Sequence, residues 1–185
     1  MRVEELSIYG ETVKYSVKDS EKAERLRIAV YADGDVVVVR PRGTHITTLK
    51  KFVESKSDWI YKKLDSYKTN SIPELRKNSE GHFIENKKAA QDLVEQKVNY
   101  WNGKLGFKYD NVTIKQLKSR WGSCSSKNNL SFNYKIIFLP EELQDYVVVH
   151  ELCHLKQLNH SPKFWNLIAS VQPDYIDFKK KMRSI

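Results

Sequence analysis

The chain has 185 residues, 40% of them hydrophobic and 11% aromatic, which is enough to bury a core and too apolar for a disordered chain. Its 32 Lys and Arg outweigh 23 Asp and Glu, a formal net charge of +9 that admits an anionic partner without requiring one. Two cysteines are too few for a disulfide scaffold, no apolar run approaches the roughly 18 residues of a membrane helix, and the charged start MRVEELSIYG does not resemble a signal peptide. The expectation is a reduced, cytoplasmic protein with no membrane partner.

The first 40 residues read as strands. Leu6 to Tyr9 and Val13 to Val17 flank Gly10, and Leu26 to Tyr31 and Val36 to Arg40 flank the turn signal Asp33-Gly34. From Ile46 to Tyr67 the apolar residues change to helical spacing, which predicts one amphipathic helix on a small antiparallel sheet. Residues 69–84 are polar, contain Pro73 and Gly81, and mark a boundary. The expected domains are a β-rich subdomain over 1–75 with one long helix, and a second domain over 85–185.

In the second domain, Ala90, Leu93, Val94, Val98 and Trp101 give a helix over Asn86 to Asn102, with Gly103 as its cap. Val112 to Lys118 and Leu130 to Leu139 read as strands around the turn-rich segment 119–126. Pro140 opens a helix through Leu158, Asn159 interrupts it, Ser161 and Pro162 start another, and Pro173 begins a last short one. The excess charge is local. Residues 86–140 hold 10 Lys and Arg against 3 Asp and Glu, whereas residues 141–185 hold 6 of each. Such a stretch is either a solvated basic face or a funnel for an anionic ligand, nucleotide or DNA.

The informative segment is His150-Glu151-Leu152-Cys153-His154. Histidines four residues apart share one helix face, so both imidazoles reach one metal ion. Glu151 sits beside the first ligand, where its carboxylate reaches water at the metal without binding the ion. The preceding Tyr146 to Val149 is nearly all apolar, so the helix is expected to be buried and its polar groups to need partners. A third ligand is required. His160 leads, because the break at Asn159 lets the chain turn back; on a continuous helix it would lie about 240° away from His154. Asp174 and Asp177 are the alternatives. His45 and His82 read as ordinary surface or structural residues, and Cys124 and Cys153 have no partner that suggests a thiol nucleophile.

Residues 119–165 resemble the YgjP-like metallopeptidases, relatives of the SprT-like and WLM zinc proteases. The matching pieces are Arg120-Trp121-Gly122-Ser123-Cys124, Leu139-Pro140, Tyr146 to Leu155, Asn159 to Trp165 and Pro173-Asp174-Tyr175. The N-terminal Arg40-Pro41 and Trp59-Ile60 also look like that family. The resemblance implies an α+β chain whose second domain has a zincin-like core, with the active-site helix beside a small sheet. It also implies one zinc ion per chain on His150, His154 and His160, with Glu151 as catalytic base. The metzincin spacing is shared, but Gln157 stands where that clan has glycine.

These residues support a zinc-dependent peptidase acting on a peptide or protein substrate. The resemblance to zincin sheets implies that an extended peptide would pair with the edge of the strand around Leu130 to Ile137. Arg120 or Tyr175 would contact the oxyanion or substrate, unless the first only holds a turn and the second is core. The alternative keeps the metal and hydrolyses nucleoside triphosphates, with the basic segment 86–140 holding phosphates. A further alternative is a DNA-associated protease or a nucleic-acid module with a structural zinc, although a structural site has no use for Glu151.

Overall fold

A computed structural model of the chain describes residues 2–70 and 72–185. Met1, at the start of the expected N-terminal subdomain, and Ser71, inside the expected boundary, lie outside the described residues. The α+β chain divides into Met1–Ser71 and Ile72–Ile185, each with its own apolar core.

In the first unit, β1 (Arg2–Ile8) and β2 (Glu11–Ser20) form a hairpin with the two-residue loop Tyr9-Gly10. Both loop residues have positive φ, 49° and 82°, as a turn matched to strand twist requires, and Gly10 adopts it without a Cβ clash. β3 (Arg27–Val30) pairs antiparallel with β4 (Val36–Pro41). The sheet is mixed rather than wholly antiparallel, because β2 and β4 run parallel in the order β1-β2-β4-β3. Residues 21–26 carry the chain to the far edge, and β4 then returns to the centre beside β2. Alternate residues Tyr15 and Val17 on β2, with Val36 and Val38 on β4, face the core.

The single expected helix is two, α1 (Ile46–Glu54) and α2 (Ser57–Asn70). The Ser55 hydroxyl donates to the Phe52 carbonyl at 2.8 Å, the local competition that ends a helix. His45 caps α1 by accepting from the Thr47 N–H, which gives this histidine a structural task. Leu49, Val53 and Ile60 close the core over the sheet.

In the second unit, α3 (Pro73–Arg76) and α4 (Glu80–Leu105) occupy much of the expected boundary. Leu75 is buried in the second core, and α4 starts at Glu80 rather than Asn86. It also runs past Gly103. Gly106, at φ 66°, supplies the left-handed cap and donates its N–H to the Asn102 carbonyl at 2.7 Å.

A three-stranded sheet follows, β5 (Asn111–Lys115), β6 (Gly122–Cys124) and β7 (Asn129–Asn133), in the order β5-β7-β6. The strand expected to reach Leu139 stops at Asn133, whose side chain caps a 3-10 turn over Tyr134–Phe138. β7 has neighbours on both sides, so the pairing expected at Leu130 to Ile137 has no free edge there; the edge strands beside it are β5 and β6.

Next comes α5 (Glu141–His154), then α6 (Pro162–Ala169) and α7 (Tyr175–Ser184). α5 is buried on nearly every side, by Leu143, Val147, Val148, Val149, Leu152 and Cys153 among others, as befits the central helix of a core. It ends at His154 rather than Leu158. Ser161 precedes α6 without a side-chain capping bond, and Pro162 takes the first turn, where its missing N–H costs nothing. α7 begins at Tyr175 after Asp174. Among the described residues no helix is long and apolar enough to cross a membrane.

Candidate metal centre

His150 and His154 stand one turn apart on α5, and their Nε2 atoms lie 3.2 Å from each other. His160, from the turn before α6, brings its Nε2 to 3.0 Å from that of His150. The early end of α5 makes this possible. With the helix closed at His154, the chain turns back, and the Gln157 carbonyl comes within 2.9 Å of His154 Nδ1. That carbonyl can only accept, so Nδ1 carries the hydrogen and Nε2 presents its lone pair to the other two rings.

Three nitrogens bound tetrahedrally at 2.0–2.1 Å to one zinc would be about 3.3 Å apart. The two spacings to His150 are close to that, and among the described residues these three histidines form a group suited to a metal, with donor atoms all within 4.8 Å of one another. Converging lone pairs repel unless a cation joins them. A proton is a poor candidate, because burial and then the charges of His154, His160 and Lys179 push His150 down to about 3. Burial lowers His154 as well. The donor set therefore fits zinc. Asp174 instead precedes α7, and Asp177 pairs with Lys180 at 3.3 Å.

Phe164 is completely buried and touches all three imidazoles, with centroids 4.9, 4.5 and 4.8 Å from His150, His154 and His160. Trp165 donates its indole N–H to the His160 carbonyl at 3.1 Å and stacks on that ring. Tyr175 stacks on Trp165 with centroids 5.5 Å apart, and Lys179 sits 3.7 Å from the Trp165 ring centroid. In sequence Phe164 and Trp165 are an aromatic pair at a helix start; only their nearness to His160 hints at this task.

Glu151 is 6% exposed and faces β6. A Cβ at Gly122 would come within 2.6 Å of its Cγ, so the missing side chain is the space the carboxylate occupies. Burial pushes Glu151 up to about 8, and Arg120 pulls the other way. Arg120, Trp121, Tyr146, Val147 and Met182 line a cavity of about 280 Å³ that also touches His150 and Glu151. Arg120 thus stands beside the predicted site, whereas Tyr175 is not among the cavity's lining residues. Burial drives Cys153 up to about 12, and Cys124 is raised by burial and by Glu151, so neither thiol is primed as a nucleophile. His82 bonds the Tyr134 hydroxyl at 3.0 Å and stacks on Phe138, within the core wall.

A family model described as YgjP-like, metallopeptidase domain, matches residues 24–88 and 85–185. An uncharacterised protein of Methanocaldococcus jannaschii is 36% identical over 86 residues, which span 44% of this chain and 76% of that protein. Two crystal structures of metallopeptidase zymogens also align. Abylysin of Pyrococcus abyssi is 26% identical with a TM-score of 0.44, over 48% of this chain and 90% of its own. Jannalysin of Methanocaldococcus jannaschii is 27% identical with a TM-score of 0.43, over 48% and 92%.

Proposed function

The chain belongs to the YgjP-like metallopeptidase family, and from that premise we propose that it is a zinc-dependent peptidase with Glu151 as its general base. His150, His154 and His160 would hold one ion. When bound, zinc supplies a Lewis acid that polarises the scissile carbonyl and a positive charge that favours ionised Glu151. Glu151 takes the proton of the attacking water and returns it to the leaving amine. Its burial strips competing water from the carboxylate, and Arg120 tempers the resulting rise in pKa.

An extended substrate pairs with the open edge of β6, which brings its backbone past Glu151. A side chain next to the scissile bond enters the cavity of Tyr146, Val147 and Met182, with Arg120 at its polar wall. Tyr175 acts at one remove, by backing the Trp165 ring behind His160.

The observation that carries this reading is the glutamate held against β6, one residue after the first of three converging imidazoles. The test is the Glu151→Gln variant. It should retain zinc, because its carboxylate is not a ligand, and lose casein cleavage by roughly 100-fold or more. Nucleoside triphosphates are assayed alongside. Release of pyrophosphate by the wild type, lost in the variant and without casein cleavage, would sink the peptidase reading.

A further inference from the structure

A cavity of about 600 Å³ in the first unit is lined by Arg25, Leu26, Arg27, Ile28, Phe52, Lys56 and Trp59. Its composition is unusual for a plain surface hollow. Trp59 is 44% exposed although its ring is large and apolar, and Phe52 is half-buried beside it. Three cations and no acid share the wall. The ion pairs of this unit engage Arg2, Lys14, Arg40, Arg42, Lys50 and Lys68. Among the described residues none of them engages Arg25, Arg27 or Lys56.

The wall has a second property. β3 is the last strand of its sheet, with β4 on one side only. Every second residue of such a strand turns its N–H and C=O away from its partner, toward open space. Edge cations alone deter sheets from pairing with one another. Here they border an aromatic hollow between an edge strand and the α1–α2 corner, a geometry that accepts an incoming strand and the side chains of its inner face.

We propose that this groove binds an extended, acidic segment of another polypeptide as an added strand on β3. The strand's free backbone groups pair with the main chain of the segment. Its apolar side chains cover Phe52 and Trp59, and its carboxylates meet Arg25, Arg27 and Lys56. A single-stranded nucleic acid would satisfy the cations and the rings, but not the row of backbone donors and acceptors along β3. Binding here does not depend on whether the metal centre cleaves peptides.

The probe is a fluorescein-labelled decapeptide that alternates Glu with Leu and Phe, titrated against the full chain carrying Glu151→Gln so that the peptide stays intact. Fluorescence anisotropy should report binding that weakens with salt. Arg25→Glu with Arg27→Glu should weaken it at least about 10-fold, and Trp59→Ala severalfold. Both changes lie on exposed side chains, and thermal melts check that the fold is kept. A peptide N-methylated at alternate amides should also lose about 10-fold, which a purely electrostatic contact would not. No binding, or binding indifferent to the variants or to N-methylation, overturns the proposal. Labelled oligothymidylate that binds more tightly than the peptide, and is weakened by the same variants, makes the groove a nucleic-acid surface instead.

Discussion

Gly122 and Glu151 illustrate how the proposed general base depends on an atom that is missing. An alanine methyl at residue 122 would sit 2.6 Å from Glu151 Cγ and 2.8 Å from Cδ, closer than carbon atoms tolerate. The strand is hydrogen-bonded to β7, whereas the glutamate side chain has torsions to turn, so the carboxylate gives way. Gly122→Ala should then cost roughly 100-fold in kcat while KM and zinc affinity, measured by chelator competition, stay near wild type. Unchanged kcat would show that the base does not need this space. The glutamate and its flanking histidines were legible in the sequence because one helical turn fixes their relation. Gly122 was legible only as part of a motif, since nothing local ties it to a helix so much later in the chain.

At the scale of elements, the site is an abrupt helix end followed by a braced turn. Trp165 binds the His160 carbonyl through its N–H and backs the imidazole with its ring. The two contacts can be separated. Trp165→Phe keeps an aromatic surface and loses the hydrogen bond; Trp165→Ala loses both. Zinc affinity should fall roughly 10-fold in the first and toward 100-fold in the second, with α5 helicity unaltered by circular dichroism. Equal affinities in all three proteins would place the support of His160 elsewhere. The break itself could be read from Asn159, but its position could not. Leu155 to Leu158 contains no breaker, and the turn is set by the Gln157 carbonyl meeting His154. Likewise Ile136 and Ile137 favour a strand by propensity, yet the Asn133 cap and complete burial of Ile136 settle on a 3-10 turn.

At the scale of the whole chain, the basic stretch shows what a count conceals. Within 86–140, Lys97 is 2.8 Å from Asp145, Lys135 donates to the Leu75 carbonyl at 2.7 Å, Lys88 pairs with Asp92, and Lys104 lies over Tyr100 and Trp101. Of these, Lys97 and Lys135 tie separate elements of the second unit together, whereas Lys88 and Lys104 engage residues of their own helix. Each unit has its own core, and all three imidazoles lie in the second unit. Zinc held by the three proposed ligands would bind the folded centre and not the unfolded chain, so at 100 times its dissociation constant it should add about 2.7 kcal/mol to the stability of that unit. Hydrogen exchange with and without a chelator reads this directly. Slowing by zinc should concentrate in α5, α6 and the turn between them, with the amides of β1 to β4 exchanging at the same rate in both conditions. Equal slowing across both units would mean that the cores unfold as one, and the separation drawn from their packing would fail.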